Sequence, residues 1–155
     1  MTSSPRSPRG PSTCRKTGNP AIPNPAPMVR MGPEHGAVAE AAELIKAAKH
    51  PIILAGEMIP IEGETEALEA FADASGAGVI VAYRQQDIID NEHPSYFGQL
   101  TLNRLPYQKE ALESCDLIIN IGCRLDSVTT AEYGMFRDDQ KMIMAYPDAS
   151  TFSQW

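Results

Sequence analysis

The residues best suited to chemistry stand at the end of CDLIINIGCRLD, Cys115 to Asp126. An apolar run stops at Gly122, and Cys123, Arg124 and Asp126 follow at once. Arginine offers a planar fork of donors matched to a phosphate or a carboxylate. A glycine lets the backbone turn sharply or come close to such a group. Asp126 could take ribose hydroxyls. It could equally hold Arg124 in a surface ion pair that does no chemistry. Cys123 beside Arg124 could carry a lowered pKa, but with no visible base a packed, idle thiol fits better. His35, His50 and His93 share no ligand spacing, so no metal site is expected. The GAG at Gly76–Gly78 precedes a strand, so it is a helix stop and turn, not a phosphate loop.

Positioning those residues requires a buried strand that empties into a loop, and the surrounding pattern supplies one. AVAEAAELIKAAKH places Val38, Ala41, Ala42 and Ile45 at helical spacing, and this helix should end before Pro51. PIILAG is a continuous apolar run stopping at Gly56, as a strand covered on both faces reads. GETEALEAFADASG puts Leu68, Phe71, Ala72 and Ser75 on one helix face, with Gly76 as its stop. GVIVAY is a second strand, LPYQKEALESC a third helix with Pro106 in its first turn, DLIINIG another strand and KMIMAY the last. The alternation predicts an α/β fold: a doubly wound, mostly parallel, Rossmann-like sheet of about five strands with helices on both faces. Ligands of such sheets bind outside the carboxyl ends of the strands. Gly56, Tyr83 and Gly122 fall at those ends.

The 155 residues suit one domain. No apolar run is long enough to cross a bilayer, so no membrane partner is expected. The formal net charge is −7, but residues 1–36 carry about +4 and the remainder about −11. Such an acidic body repels nucleic acid. Eight of the 13 prolines lie in residues 1–36, so residues 1–35 are expected to be a disordered Pro/Arg/Ser-rich leader. It faintly resembles an organelle-targeting peptide, though its prolines oppose the amphipathic helix such a peptide needs. Cys14, Cys115 and Cys123 have no CxxC spacing, which fits a reduced, cytoplasmic setting.

The order of these segments resembles the central domain of thiamine-diphosphate-dependent enzymes, the group of acetolactate synthase, pyruvate oxidase and benzoylformate decarboxylase. That family has a helix ending in AKRP, a strand into AGGG, then HPxxxG, and later ADL running to GxR. Here Ala48, Lys49 and Pro51 match the first motif and Ala55 and Gly56 the second. His93, Pro94 and Gly98 match the third, and Asp116, Leu117, Gly122 and Arg124 the last. YRQQD after the second strand looks most like acetolactate-synthase-like members.

The resemblance makes residues 36–155 a central domain lacking the family's last strand. It implies a parent chemistry of decarboxylation and carboligation of 2-oxo acids with thiamine diphosphate and magnesium. A pyrimidine-binding and a diphosphate-binding domain, in cis or in trans, would hold that cofactor, and this sequence has no GDG motif of the latter. The chain is therefore expected to have no catalytic residues of its own, and to form a homo-oligomer in the parent assembly. The resemblance also implies an adenine-nucleotide crevice, occupied by FAD or ADP in some members. Its matching positions are Gly56 and Glu57, Tyr83 and Arg84, Leu100, Thr101 and Asn103, and Gly122, Arg124 and Asp126. Glu57 puts a carboxylate into the glycine loop, Thr101 stands where FAD-binding members often have glycine, and Ser127 and Val128 replace a DR pair. These departures point to a weak ADP-like site or an empty one. A free-standing nucleotide-binding or docking module without activity, or a decayed gene product, are the other readings.

Overall fold

A computed structural model of the chain describes residues 32–147, apart from Gly63 and Leu102, with the backbone alone at residues 61 and 62. The expected leader lies outside the described residues as far as residue 31, as do residues 148–155. Chain contacts separate Met1–Arg30 from Met31–Trp155, and every described residue belongs to the second unit.

Five strands form one sheet: β1 (Pro51–Ala55), β2 (Gly78–Val81), β3 (Tyr96–Gln99), β4 (Leu117–Ile121) and β5 (Lys141–Ala145). Their spatial order is β3-β2-β1-β4-β5, and every pairing is parallel. The helices are α1 (Ala37–Ala47), α2 (Met58–Glu62), α3 (Thr65–Ser75) and α4 (Pro106–Ser114). The doubly wound α/β reading therefore holds, and it gains two elements: β3 and the short α2.

The central strands are continuous apolar runs because both of their faces are covered. Ile53, Ala55, Val79, Val81, Leu117 and Ile119 face one core, where Leu44 and Ile45 of α1 and Leu68 and Ala72 of α3 pack. Ile52, Leu54, Ile80 and Ile118 face the other, against Leu112 of α4 and the Cys123–Leu125 loop. Each fully buried Ile or Leu contributes about 1.5–3 kcal/mol of transfer free energy. Helix α3 stops where Gly76 adopts a φ of 65° and donates its N–H to Ala72 O.

Two side chains fix the sheet's margins. The Asp116 carboxylate, just before β4, accepts the Lys49 and His50 N–H groups at 2.8 and 2.9 Å. That ties the turn entering β1 to the start of β4. At the far edge, buried Gln108 of α4 donates through Nε2 to both Phe97 O and Gln99 O at 3.1 Å. Its Oε1 accepts the Leu105 N–H. The outward carbonyls of β3 are thereby occupied, and the strand is a blunted edge. Gly98 makes the fit possible, since a Cβ there would sit 3.0 Å from Tyr107 Oη and 3.1 Å from Gln108 Nε2.

Candidate functional site: the carboxyl ends of the strands

The strand order reverses direction at β1, whose neighbours are β2 and β4, so the switch point lies over the carboxyl ends of β1 and β4. All ten candidate positions lie at the carboxyl ends of β1 to β4 or in the loops that follow. They form three groups.

The first group is Gly56, Glu57 and Gly122. Gly56 and Gly122 have surrendered their Cβ space to each other's loops. A Cβ on Gly56 would lie 2.1 Å from Cys123 Cα, and one on Gly122 2.7 Å from Met58 Cβ. Gly122 has a φ of 62°, the left-handed conformation that favours glycine. Three amides here are committed: Gly56 N–H to Ile121 O, Met58 N–H to Gly122 O and Gly122 N–H to Ala145 O, at 3.0, 3.1 and 2.8 Å. A pyrophosphate cradle needs free N–H groups, so these glycines fit a loop-to-loop clasp better than a phosphate loop. Half-buried Glu57 lies against the clasp, 3.5 Å from the Tyr146 hydroxyl.

The second group is Tyr83 and Arg84, both exposed. Arg84 has a φ of 68°, and its guanidinium lies 5.4 Å from the centre of the Tyr83 ring, within cation–π range. The third group spans two loops. Leu100 is buried and donates its N–H to Val81 O, which makes it a packing residue. Thr101 Oγ1 donates to Asn103 O at 2.7 Å, and Asn103 is exposed. Across from them, Asp126 does not hold Arg124. Its Oδ1 accepts the Thr129 N–H at 2.7 Å and its carbonyl accepts the Thr130 hydroxyl, so it organises the turn after β4. Arg124 is exposed, and its guanidinium has no hydrogen-bond or ion-pair partner among the described residues.

Cys123 is not a reactive thiol. Burial first, then the Glu57 and Asp126 carboxylates, push its pKa up to about 12, against a hydrogen bond with Thr129. Buried Cys115 is likewise pushed up to about 11 by burial. Both are free. No group of three or more His, Cys, Asp or Glu among the described residues could hold a metal ion. No described helix is long and apolar enough to cross a membrane.

Sequence reasoning missed Arg104. It follows β3, and its Nη2 donates to Thr129 O at 2.7 Å, joining the β3 and β4 loops. The signal was a charged residue after a strand, but β3 itself was not legible. On the sheet's other face, Ile59, Glu64, Ala67, Leu68, Phe71 and Ile121 line a shallow apolar cleft of about 220 Å³.

Known proteins resemble this chain in sequence and in fold. Residues 38–154 match the family model described as "Thiamine pyrophosphate enzyme, central domain". Pyruvate decarboxylase of Candida glabrata is 34% identical over 111 residues, covering 68% of this chain and 19% of that protein. Acetolactate synthase of Mycobacterium bovis is 31% identical over 114 residues, covering 73% and 18%. Sulfoacetaldehyde acetyltransferase of Alcaligenes xylosoxydans is 31% identical over 115 residues, covering 72% and 19%. The chain thus spans about a fifth of the length of these relatives. An X-ray structure from Mycobacterium smegmatis, described as thiamin diphosphate-dependent, superposes with a TM-score of 0.66 at 24% identity. It covers 83% of this chain and 25% of that one, a likeness of fold alone. With the all-parallel sheet and its motifs at the strand ends, the match over 38–154 shows that this chain belongs to the central-domain family of thiamine pyrophosphate enzymes.

Proposed function

We propose that residues 36–155 serve as the scaffold domain of an acetolactate-synthase-like carboligase or decarboxylase of 2-oxo acids. That enzyme depends on thiamine diphosphate and magnesium. Its pyrimidine-binding and diphosphate-binding domains, in cis or in trans, hold the cofactor and do the chemistry, in a homo-oligomer. The carrying observation is the family match across 38–154. Relatives with decarboxylase and synthase names support it. Thiamine diphosphate supplies the carbanion chemistry when bound to those domains. Among the described residues no group of three or more His, Cys, Asp or Glu could hold a metal ion. The test is turnover: the purified chain with thiamine diphosphate, magnesium and pyruvate should release no carbon dioxide. Release at an enzyme-like rate would overturn the reading.

A second reading rests on Arg124. An exposed guanidinium without a carboxylate partner, beside a switch point, favours an adenine-nucleotide site at the strand ends.

A further inference from the structure

The two edges of the sheet are not alike. At β3, Gln108 Nε2 takes the carbonyls of Phe97 and Gln99, so another strand cannot add there. At β5, no strand lies on the far side among the described residues. The usual guards of an edge are a proline, a bulge or a charge at its centre. β5 has none of them: KMIMA runs in unbroken register with β4, and its one charge, Lys141, is the first residue.

The direction of its backbone groups follows from two hydrogen bonds. Lys141 N–H donates to Asp116 O and Gly122 N–H to Ala145 O, at 3.2 and 2.8 Å. Lys141, Ile143 and Ala145 therefore turn their backbone groups to β4. These groups alternate in direction along a strand, so Met142 and Met144 turn theirs outward. Side chains alternate as well. Ile143 packs on the core beneath α1 and α3, and Met142 and Met144 on the core beneath α4. All three are half-exposed. The outward donors and acceptors thus read the same in both directions, with Ile143 at the midpoint.

We propose that β5 is a docking surface for β5 of a second copy of this chain, paired antiparallel about a two-fold axis at Ile143. In that register Met142 exchanges both backbone bonds with the partner's Met144, and Met144 with the partner's Met142. Four hydrogen bonds form, and every residue of both strands is paired. A register centred on Met142 or Met144 would leave part of each strand unpaired. Lys141 faces the partner's Ala145, so no like charges meet. Ile143 meets the partner's Ile143 at the close spacing of a non-hydrogen-bonded pair. The methionines, which adapt to irregular contacts, meet on the other face. Head-to-tail addition of β5 to β3 would build a filament, but Gln108 blocks it, so assembly closes at two copies. The proposal goes beyond the scaffold reading and rests on neither that reading nor the nucleotide one.

The test uses the full chain. Sedimentation velocity should show a monomer–dimer equilibrium with no larger species. Met142→Pro removes an outward N–H and leaves the β4 ladder intact, a position where a sheet tolerates proline. The dimer then lacks two of its four bonds, so association should weaken about tenfold or more while the thermal transition is kept. Register is read by single cysteines in a Cys14→Ser background, which leaves Cys115 and Cys123, both buried. Oxidation with copper phenanthroline in air should join Ile143→Cys to its copy, because such a pair brings the Cα atoms to about 4.5 Å. Lys141→Cys should stay unjoined, because the two-fold sets its copies about 13 Å apart along the strands. If Ile143→Cys loses its thermal transition, Met142→Pro and Lys141→Cys carry the test. A monomer at every concentration, growth beyond the dimer, parental association in folded Met142→Pro, or a folded Ile143→Cys that stays unjoined overturns the proposal. So does Lys141→Cys joining as readily as Ile143→Cys, which would mean parallel, in-register stacking. None of these readouts involves turnover, so a failure here leaves the scaffold reading standing.

Discussion

At the residue scale, glycine and aspartate at the strand ends work in the fold before they work on any ligand. Gly56→Ala would place a methyl 2.1 Å from Cys123 Cα and 2.4 Å from Gly122 O. Gly122 O cannot move without breaking its hydrogen bond from the Met58 N–H. We expect destabilisation of about 3 kcal/mol or more, at the upper end for overpacking, read by urea denaturation. Asp116 makes the pH prediction. Two backbone N–H bonds, from Lys49 and His50, hold its carboxyl below the usual carboxylate range. Its folded pKa lies below its unfolded one. The stability it contributes is therefore present above the unfolded value near pH ~3.9 and is lost as pH falls through the folded value. Asp116→Ala should lower the melting temperature at pH 7, and the gap to the parent should close as pH falls through the folded value. A gap that persists in acid would mean that the carboxylate charge is not what holds the turn.

At the scale of elements, the β4–β5 crossover is the unusual one. Like the β2–β3 crossover it contains no α-helix, and it alone carries three successive non-glycine residues, Ala131, Glu132 and Tyr133, with φ values of 50°, 57° and 64° among the described residues. A left-handed conformation costs an L-residue about 1–2 kcal/mol. Here Glu132 N–H to Ser127 O and Tyr133 N–H to Thr130 Oγ1 hold the turn closed. Glycine removes the steric cost but loses more chain entropy on folding, so Ala131→Gly or Glu132→Gly should each stabilise by about 0.5–1 kcal/mol. That is about 2–5 °C in the thermal midpoint. No shift, or a lower midpoint, would contradict the strained geometry. Such a turn left no trace in the sequence, because nothing in TTAEYG marks a left-handed run. The long apolar strands were legible for the opposite reason: PIILA, GVIV and LIINI are buried on both faces. β3 was not, since YFGQ is short and interrupted by Gly98 at a φ of 86°. Missing β3 hid Arg104 as a strand-end residue. Arg124 was visible because β4 is unmistakable, but the true partner of Asp126, the Thr129 amide, depends on a turn that only the three-dimensional fold reveals.

At the scale of the whole molecule, the two margins of the sheet differ. Gln108 occupies the carbonyls of β3. β5 pairs only with β4 in the described sheet, with Met142, Ile143 and Met144 half-exposed. An open edge of that kind invites strand pairing. The isolated chain should therefore associate as its concentration rises, and sedimentation velocity showing a monomer across a hundredfold range would contradict that. The central claim is that this domain is a scaffold for chemistry done elsewhere. It is tested most directly by domain replacement: residues 38–154 are set in place of the matching segment of the Mycobacterium bovis acetolactate synthase. Acetolactate formation from pyruvate is then measured with thiamine diphosphate and magnesium. The account predicts turnover well above that of the same enzyme with its central segment deleted. A chimera no more active than the deletion would contradict it.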